Sequence, residues 1–106
     1  MNEGERIRKA VWDAAADSRL RGPATSKQIG YMNSLLEAAI GRGAGSAVAR
    51  HQVLEHLFKR PSSKDLTKAE ASVVIDWLSS SEDAQADVHA VLKAWGVEHG
   101  QLELGI

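Results

Sequence analysis

The fold is decided by residues 66–78, which read Leu66-Thr67-Lys68-Ala69-Glu70-Ala71-Ser72-Val73-Val74-Ile75-Asp76-Trp77-Leu78. Thr67 stands three residues before Glu70, which is the spacing of a capping box. In this motif the hydroxyl accepts from the backbone N–H of the acidic residue, and the carboxylate accepts from that of the threonine. Apolar residues then recur at i, i+3, i+4 and i+7, at Ala71, Val74, Ile75 and Leu78. The stretch therefore predicts a helix buried on one face, with Leu66 closing over Ala71 as a hydrophobic staple.

This is the fourth of five predicted helices, and the first two lie nearest the N-terminus. The first covers residues 3–18, because Ile7, Ala10, Val11 and Ala14 share one helical face. It ends at the elbow, residues 19–23, where Gly22 and Pro23 oppose helix continuation. The second helix opens with a capping box of Thr25 and Gln28 and ends at Gly41.

Two more helices complete the prediction. The third begins with Ser46 as its cap and ends near Lys59, just before Pro61. The fifth takes Ser80 or Ser81 as its cap and closes at Gly96. Its first turn is acidic, which suits the positive end of a helix dipole.

The sequence thus predicts an all-α fold, a compact bundle of about five short helices in one domain over residues 1–106. Its parts are a basic N-terminal helix and elbow (1–22), a core (24–78), an acidic helix (79–96) and a tail (97–106). The N-terminal helix either docks on the domain or orders only on a partner. Thr25 to Leu36 and Thr67 to Leu78 align at an offset of 42 residues, so the bundle is either a pair of repeated helical hairpins or two helices that obey the same start rules by chance.

Composition narrows the function classes. The chain has no cysteine, which excludes disulfides and thiolate metal sites and fits a reducing compartment. We see no apolar leader and no membrane-length apolar run, so we expect a cytoplasmic protein without a membrane partner. The net charge of −1 conceals a polarity: residues 1–60 carry ten Lys/Arg against six Asp/Glu, and residues 61–106 carry three against eight. Either the two parts attract each other or the basic part faces a polyanion.

The four histidines do not predict catalysis or metal binding. His51 and His56 are five residues apart on one helix and so face different directions, whereas paired zinc ligands on a helix lie three or four apart. His89 and His99 have no serine or paired carboxylate near them in sequence. We therefore expect no enzyme activity, no cofactor, no metal and no small-molecule substrate.

The sequence supports binding to nucleic acid or to a partner protein more than it supports catalysis. Lys27 and Lys68 lie in the first turns of their helices, where backbone N–H groups already favour an anion. The residues that extend this basic surface are Arg19, Arg21, Arg42, Arg50, Lys59 and Arg60. Of all these, the predicted nucleic-acid contacts are Lys27, Lys68, Arg42 and Arg50. Residues predicted to contact a partner are Trp12, Tyr31, Leu102, Leu104 and Ile106. Trp12 and Tyr31 lie off the main apolar faces, where they either stack a base or anchor a partner protein. The other three alternate in the tail, which either packs over the bundle, adds as a strand to another chain or stays disordered.

Two blocks of sequence carry a family resemblance. Residues 24–29, Ala-Thr-Ser-Lys-Gln-Ile, followed by residues 65–72 and by Ile75-Asp76-Trp77-Leu78, resemble a small helical module of actinobacterial and phage proteins that also forms a tail on phage recombination and other DNA-handling proteins. The resemblance covers residues 24–78 and implies an accessory role in phage or mobile-element DNA metabolism. The alternative is a protein-interaction or self-assembly module that acts through the N-terminal helix or the tail, without nucleic-acid contact.

Overall fold

The computed structural model describes residues 2–41, 45–60 and 62–100, and in these ranges the chain is an all-α bundle of five helices. A short 3₁₀ turn, Ser63–Asp65, precedes the fourth helix, and no β-strand occurs in the described ranges. No helix in them has the length and apolar content needed to cross a membrane. The helices are α1 (Glu3–Asp17), α2 (Ser26–Ile40), α3 (Ser46–Phe58), α4 (Lys68–Ser80) and α5 (Ala84–Glu98).

One apolar core joins all five helices. α5 contacts each of the other four helices, and α4 also packs against α1 and α2. The fully buried members of the core come from α2 to α5 and from the turn before α4, and α1 adds Val11. α1 is therefore docked on the domain. The largest fully buried apolar side chains of the core are Met32, Leu36, Val53, Leu54, Leu57, Leu66, Val74, Val88 and Val91.

Both predicted capping boxes are confirmed. The Thr67 hydroxyl accepts from the backbone N–H of Glu70 at 3.1 Å, and the Glu70 carboxylate accepts from that of Thr67 at 2.9 Å. Thr25 and Gln28 form the same pair of bonds, at 3.1 and 3.0 Å. Because these bonds satisfy N–H groups that a helix start leaves without partners, residues close together in the sequence define where α2 and α4 each begin.

α1 crosses α5 closely, at a glycine. A Cβ atom placed on Gly4 would lie 2.7 Å from the Ala94 Cβ and closer still to the Ala90 carbonyl oxygen. Gly4 is itself buried. The absence of a side chain at residue 4 is therefore what allows the two backbones to approach each other at this crossing.

Four details of the predicted helices are wrong. Ser46 is the first helical residue of α3 and does not cap it; the cap position is Gly45, at φ +90°. Neither Ser80 nor Ser81 caps α5, since Asp83 does so by accepting from the Ala86 N–H at 3.0 Å. Gly96 does not end α5 but is buried inside it. Of the predicted apolar face of α1, Ala10 and Ala14 are exposed, because α1 packs through Gly4, Val11 and, in part, Ile7 and Ala15.

Candidate nucleic-acid interface

The starts of α2 and α4 lie side by side because their preceding segments pair in antiparallel fashion. The Ala24 N–H donates to the Leu66 carbonyl at 3.0 Å, and the Lys68 N–H donates to the Gly22 carbonyl at 2.9 Å. The Gln28 side-chain amide adds a bond to the Lys68 carbonyl at 3.4 Å. The pairing places Ala24 opposite Leu66, two residues that correspond at the offset of 42. Whether the chain arose by duplication stays a prediction.

The elbow sequence suits this pairing. Pro23 has no N–H to donate, and both bonds of its bridge with Thr67 are made by other residues. Gly22 has φ +90°, in the left-handed region that side-chain-bearing residues rarely adopt. The Arg21 guanidinium donates to the Ser18 and Leu20 carbonyls at 3.2 Å each, which folds the elbow back on itself. Glycine, proline and arginine together turn the chain from α1 into the bridge.

We call residues 18–27 and 62–68 the basic end, because five cationic side chains gather there. Each lies within three residues, along the chain, of the paired segments 22–24 and 66–68. None of the five forms an ion pair with another residue of the described ranges. Four are exposed and Lys68 is half-buried. They are Arg19, Arg21, Lys27, Lys64 and Lys68.

Helix dipoles add to the positive potential at the basic end. The N-termini of α2 and α4 both point there, and each carries a partial positive charge of about one half. The two helix starts differ, however, in what their backbone offers an anion. At α2 the N–H groups of Ser26 and Lys27 have no acceptor among the described residues, whereas at α4 the Lys68 N–H is already bonded to Gly22. Lys27 can therefore act with its backbone, and Lys68 acts through its side chain.

The other predicted basic contacts lie elsewhere. Arg50 is on α3, and its guanidinium lies 3.5 Å from the Glu37 carboxylate of α2. Arg42 lies outside the described residues. Lys59 is 2.6 Å from Glu98, and Arg60 is 3.4 Å from Glu70. The structure thus brings Lys27 and Lys68 together and separates them from Arg50, and sequence reasoning missed Lys64.

Trp12 stands next to the basic end. Its indole ring stacks on Phe58 with ring centroids 6.2 Å apart, and the residue is 47% exposed. A groove of about 200 Å³ runs beside it, and the far wall of the groove is the start of α4 at Thr67 and Glu70. Tyr31 is 55% exposed on α2, four residues after Lys27 and so on the same helical face. The predicted tail contacts Leu102, Leu104 and Ile106 lie outside the described residues.

A polar cluster that the sequence did not predict joins α1, α3 and α5. Glu98 is its centre: its carboxylate lies 2.6 Å from Lys59, 3.2 Å from the His56 Nδ1 and 3.7 Å from Arg8. His56 is only 1% exposed, and its approach to Glu98 lacks the geometry of a hydrogen bond. We call these four residues the Glu98 cluster.

Burial and charge set the protonation of the Glu98 cluster. Burial lowers the pKa of His56 below its usual 6.5, and the Arg8 charge lowers it further, whereas Glu98 acts in the opposite direction. The hydrogen bond from Lys59 lowers the pKa of Glu98, against a smaller effect of burial. At neutral pH the cluster therefore holds a neutral imidazole beside an ionised carboxylate and two cations.

The remaining histidines are dispersed. His51 and His89 are exposed, and the His99 Nε2 lies 3.0 Å from the Glu55 carboxylate. Within the described ranges no three His, Asp or Glu side chains converge in a way that would hold a metal ion.

Comparison with protein-family models, with curated proteins and with solved structures gives no match to this chain.

Proposed function

We propose that this protein is a non-catalytic helical accessory module that binds the sugar–phosphate backbone of nucleic acid through the basic end. The observation that carries the proposal is the gathering of Arg19, Arg21, Lys27, Lys64 and Lys68 around two paired helix starts, without ion-pair partners in the described ranges. The resemblance to a module of phage and actinobacterial DNA-handling proteins suggests phage or mobile-element DNA metabolism as the setting.

Electrostatics favours phosphate as the ligand of this surface. A polyanion presents charges at regular spacing, and each Lys or Arg that contacts a phosphate releases counterions into solution. The positive ends of the α2 and α4 dipoles strengthen the attraction. Two acidic residues lie close by, but Glu70 is 13% exposed at its side chain and is held by both Arg60 and the capping box, which leaves Asp65 as the exposed carboxylate of the basic end.

A structural role suits the Glu98 cluster better than catalysis does. His56 is the histidine held closest to a set of charged groups, yet its ring is 1% exposed and cannot reach a substrate in the folded state. Arg8 and Lys59 neutralise the carboxylate beside it. We therefore assign this cluster to the packing of α1, α3 and α5.

The test is oligonucleotide binding by fluorescence anisotropy at low salt. We expect affinity to fall steeply as salt is raised, with a slope of roughly 0.7 per contacted phosphate for single strands. Lys27→Glu and Lys68→Glu should each weaken binding. Lys93→Glu is the matched control, because Lys93 is exposed on α5 beside Asn2 and Glu3, at the end of α1 opposite the elbow.

Two results would overturn the proposal. One is the absence of binding to any oligonucleotide at low salt. The other is an equal loss of affinity in Lys93→Glu and Lys27→Glu, since that would mean that total charge alone, and not the basic end, governs binding.

A second function, protein interaction or self-assembly, is favoured by a separate apolar groove between α1 and α4. The groove has a volume of about 260 Å³, and Ala10 and Ala14 of α1 are exposed along it. Its other apolar walls come from Ile7, Val11, Val73 and Trp77. Deletion of residues 101–106 and the substitution Ala14→Glu should change the mass measured by light scattering if the tail or α1 mediates assembly. An unchanged mass in both variants would argue against this function.

A further inference from the structure

We propose that the basic end binds single-stranded nucleic acid in particular, with an unpaired base stacked on the indole of Trp12. This inference rests on the proposed function and adds a ligand class to it. It starts from an observation outside the resemblance, because Trp12 belongs to α1 and precedes residues 24–78.

Trp12 is supported by the core on one side and open to solvent elsewhere. One side of the indole packs over Phe58, which is 4% exposed, and nearly half of the tryptophan surface is open to solvent. The groove beside the ring is closed by Thr67 and by Glu70, whose carboxylate is paired with Arg60. The Thr67 backbone takes part in the bridge with Pro23. The aromatic surface is therefore adjacent to the basic end rather than on a separate face of the bundle.

The exposed indole of Trp12 and the cations of the basic end together suit a single strand better than a duplex. Proteins that bind single strands combine cationic groups that follow the backbone with exposed aromatic rings on which bases stack. Duplex readers instead present one helix to the major groove, with several side chains along it that reach base edges. Of the five cations, Lys27 and Lys68 lie on α-helices, one on each, whereas Arg19 and Arg21 lie in the elbow and Lys64 in the 3₁₀ turn. A flexible strand can contact this irregular array and a stacking ring at once, whereas the bases of a duplex are already stacked.

Arg8 and Lys9 also lie near Trp12, but their charges are already paired. Both line a second depression, of about 400 Å³, that Trp12 also borders. Lys9 is paired with Asp13 at 3.0 Å, and Arg8 with Glu98. Both cations are thus already paired, and Glu5, which lines the same depression, has no ion-pair partner in the described ranges. The strand is therefore expected to leave the ring toward Thr67 and Lys68 rather than toward the start of α1.

The experiment uses the full chain with oligothymidylate of about 20 nucleotides and a duplex of equal length, at low salt. Trp12→Leu keeps an apolar cover over Phe58 and removes the aromatic face. We expect it to weaken single-strand binding roughly 5- to 150-fold, the range that loss of one stacked base gives, and to leave duplex binding unchanged. Trp12→Phe should recover part of the affinity. Val48→Ala is the control, since Val48 is 58% exposed and lies ten residues before Phe58 on α3.

Tryptophan fluorescence gives a second readout. Oligothymidylate should quench the wild-type emission, and Trp12→Phe should abolish that quenching, because the other two tryptophans, Trp77 and Trp95, are half-buried. Circular dichroism melting curves confirm that each variant is folded.

The outcomes separate the two proposals. If Lys27→Glu weakens binding but Trp12→Leu affects single strands and duplex equally, or affects neither, the stacking inference is wrong and the proposed function stands. If no nucleic acid binds the wild-type protein at low salt, the proposed function is wrong and this inference falls with it.

Discussion

Substitution by alanine should change the stability of the protein in opposite directions at two helical glycines, Gly4 at the crossing of α1 and α5 and Gly30 on α2. Gly4→Ala should destabilise the protein, because the new methyl group would lie 2.7 Å from the Ala94 Cβ and closer to the Ala90 carbonyl oxygen, whereas ordinary contacts are 3.4–4 Å. The Ala90 obstacle is backbone and cannot rotate away. Gly30→Ala should instead stabilise the protein, because a Cβ at Gly30 meets no atom within 4 Å.

The magnitudes follow from two competing effects. Replacing a helical glycine by alanine stabilises by about 0.5–1 kcal/mol when the site is open, and this is the expected gain for Gly30→Ala. At Gly4 the same gain is opposed by overpacking, which costs about 1–3 kcal/mol in a well-packed core. The gain is also smaller there, since Gly4 is the second residue of α1 and frays more readily. We expect a net loss of about 1–2 kcal/mol for Gly4→Ala.

Urea unfolding followed by circular dichroism measures both variants. With an m value of about 2 kcal/mol/M, Gly4→Ala should lower the midpoint by roughly 0.5–1 M, and Gly30→Ala should raise it by a few tenths. A Gly4→Ala midpoint at or above that of the wild type would refute the close crossing of α1 and α5. An unchanged midpoint for Gly30→Ala would instead question the propensity argument at this site.

Three further predictions address the caps and the buried polar groups. Thr67→Ala should lower the free energy of unfolding by about 1 kcal/mol in urea titrations, with Thr67→Ser nearly neutral. Asp87→Ala should cost about 1.5–3 kcal/mol in the same titration and change the fluorescence of Trp77, since Asp87 accepts from the Trp77 indole at 3.2 Å and the Ser81 hydroxyl at 2.6 Å. The pKa of His56 is lower in the folded state than in the unfolded state, so the unfolded state binds the proton first as the pH drops below about 6.5. The free energy of unfolding should therefore fall below that pH, by at most about 1.4 kcal/mol per pH unit. His56→Leu should reduce this dependence on pH, and His51→Leu should leave it unchanged.

Local rules in the sequence predicted the helices but not all their ends. Thr25 and Thr67 had partners three residues ahead, so both capping boxes form as expected. For α5, capping propensity favours Ser80 or Ser81, but Asp83 is the cap. The Ser81 hydroxyl donates to Asp87 and accepts from the Asp83 N–H, so Asp83 is left as the cap.

The candidate site was only half predictable for a different reason. Lys27 and Lys68 stood out because each begins a helix, which is a local feature. Lys64 did not, since its place at the basic end depends on the backbone pairing of residues 22–24 with 66–68, and no side-chain pattern encodes that pairing. The contact of His56 with Glu98 is equally non-local.

The ion pairs explain how a chain of net charge −1 presents a basic surface. The sequence left open whether its basic part, residues 1–60, attracts the acidic part or faces a polyanion, and the structure supports attraction at specific residues. Arg8 and Lys59 pair with Glu98, and Arg60 pairs with Glu70, so each of these pairs joins the two parts. Glu70 lies beside the basic end, where Arg60 offsets its charge, and the elbow arginines have no ion pair in the described ranges. Charge reversal in the elbow should therefore lower nucleic-acid affinity with little effect on stability, whereas reversal of a charge that pairs with Glu98 should lower stability with little effect on affinity.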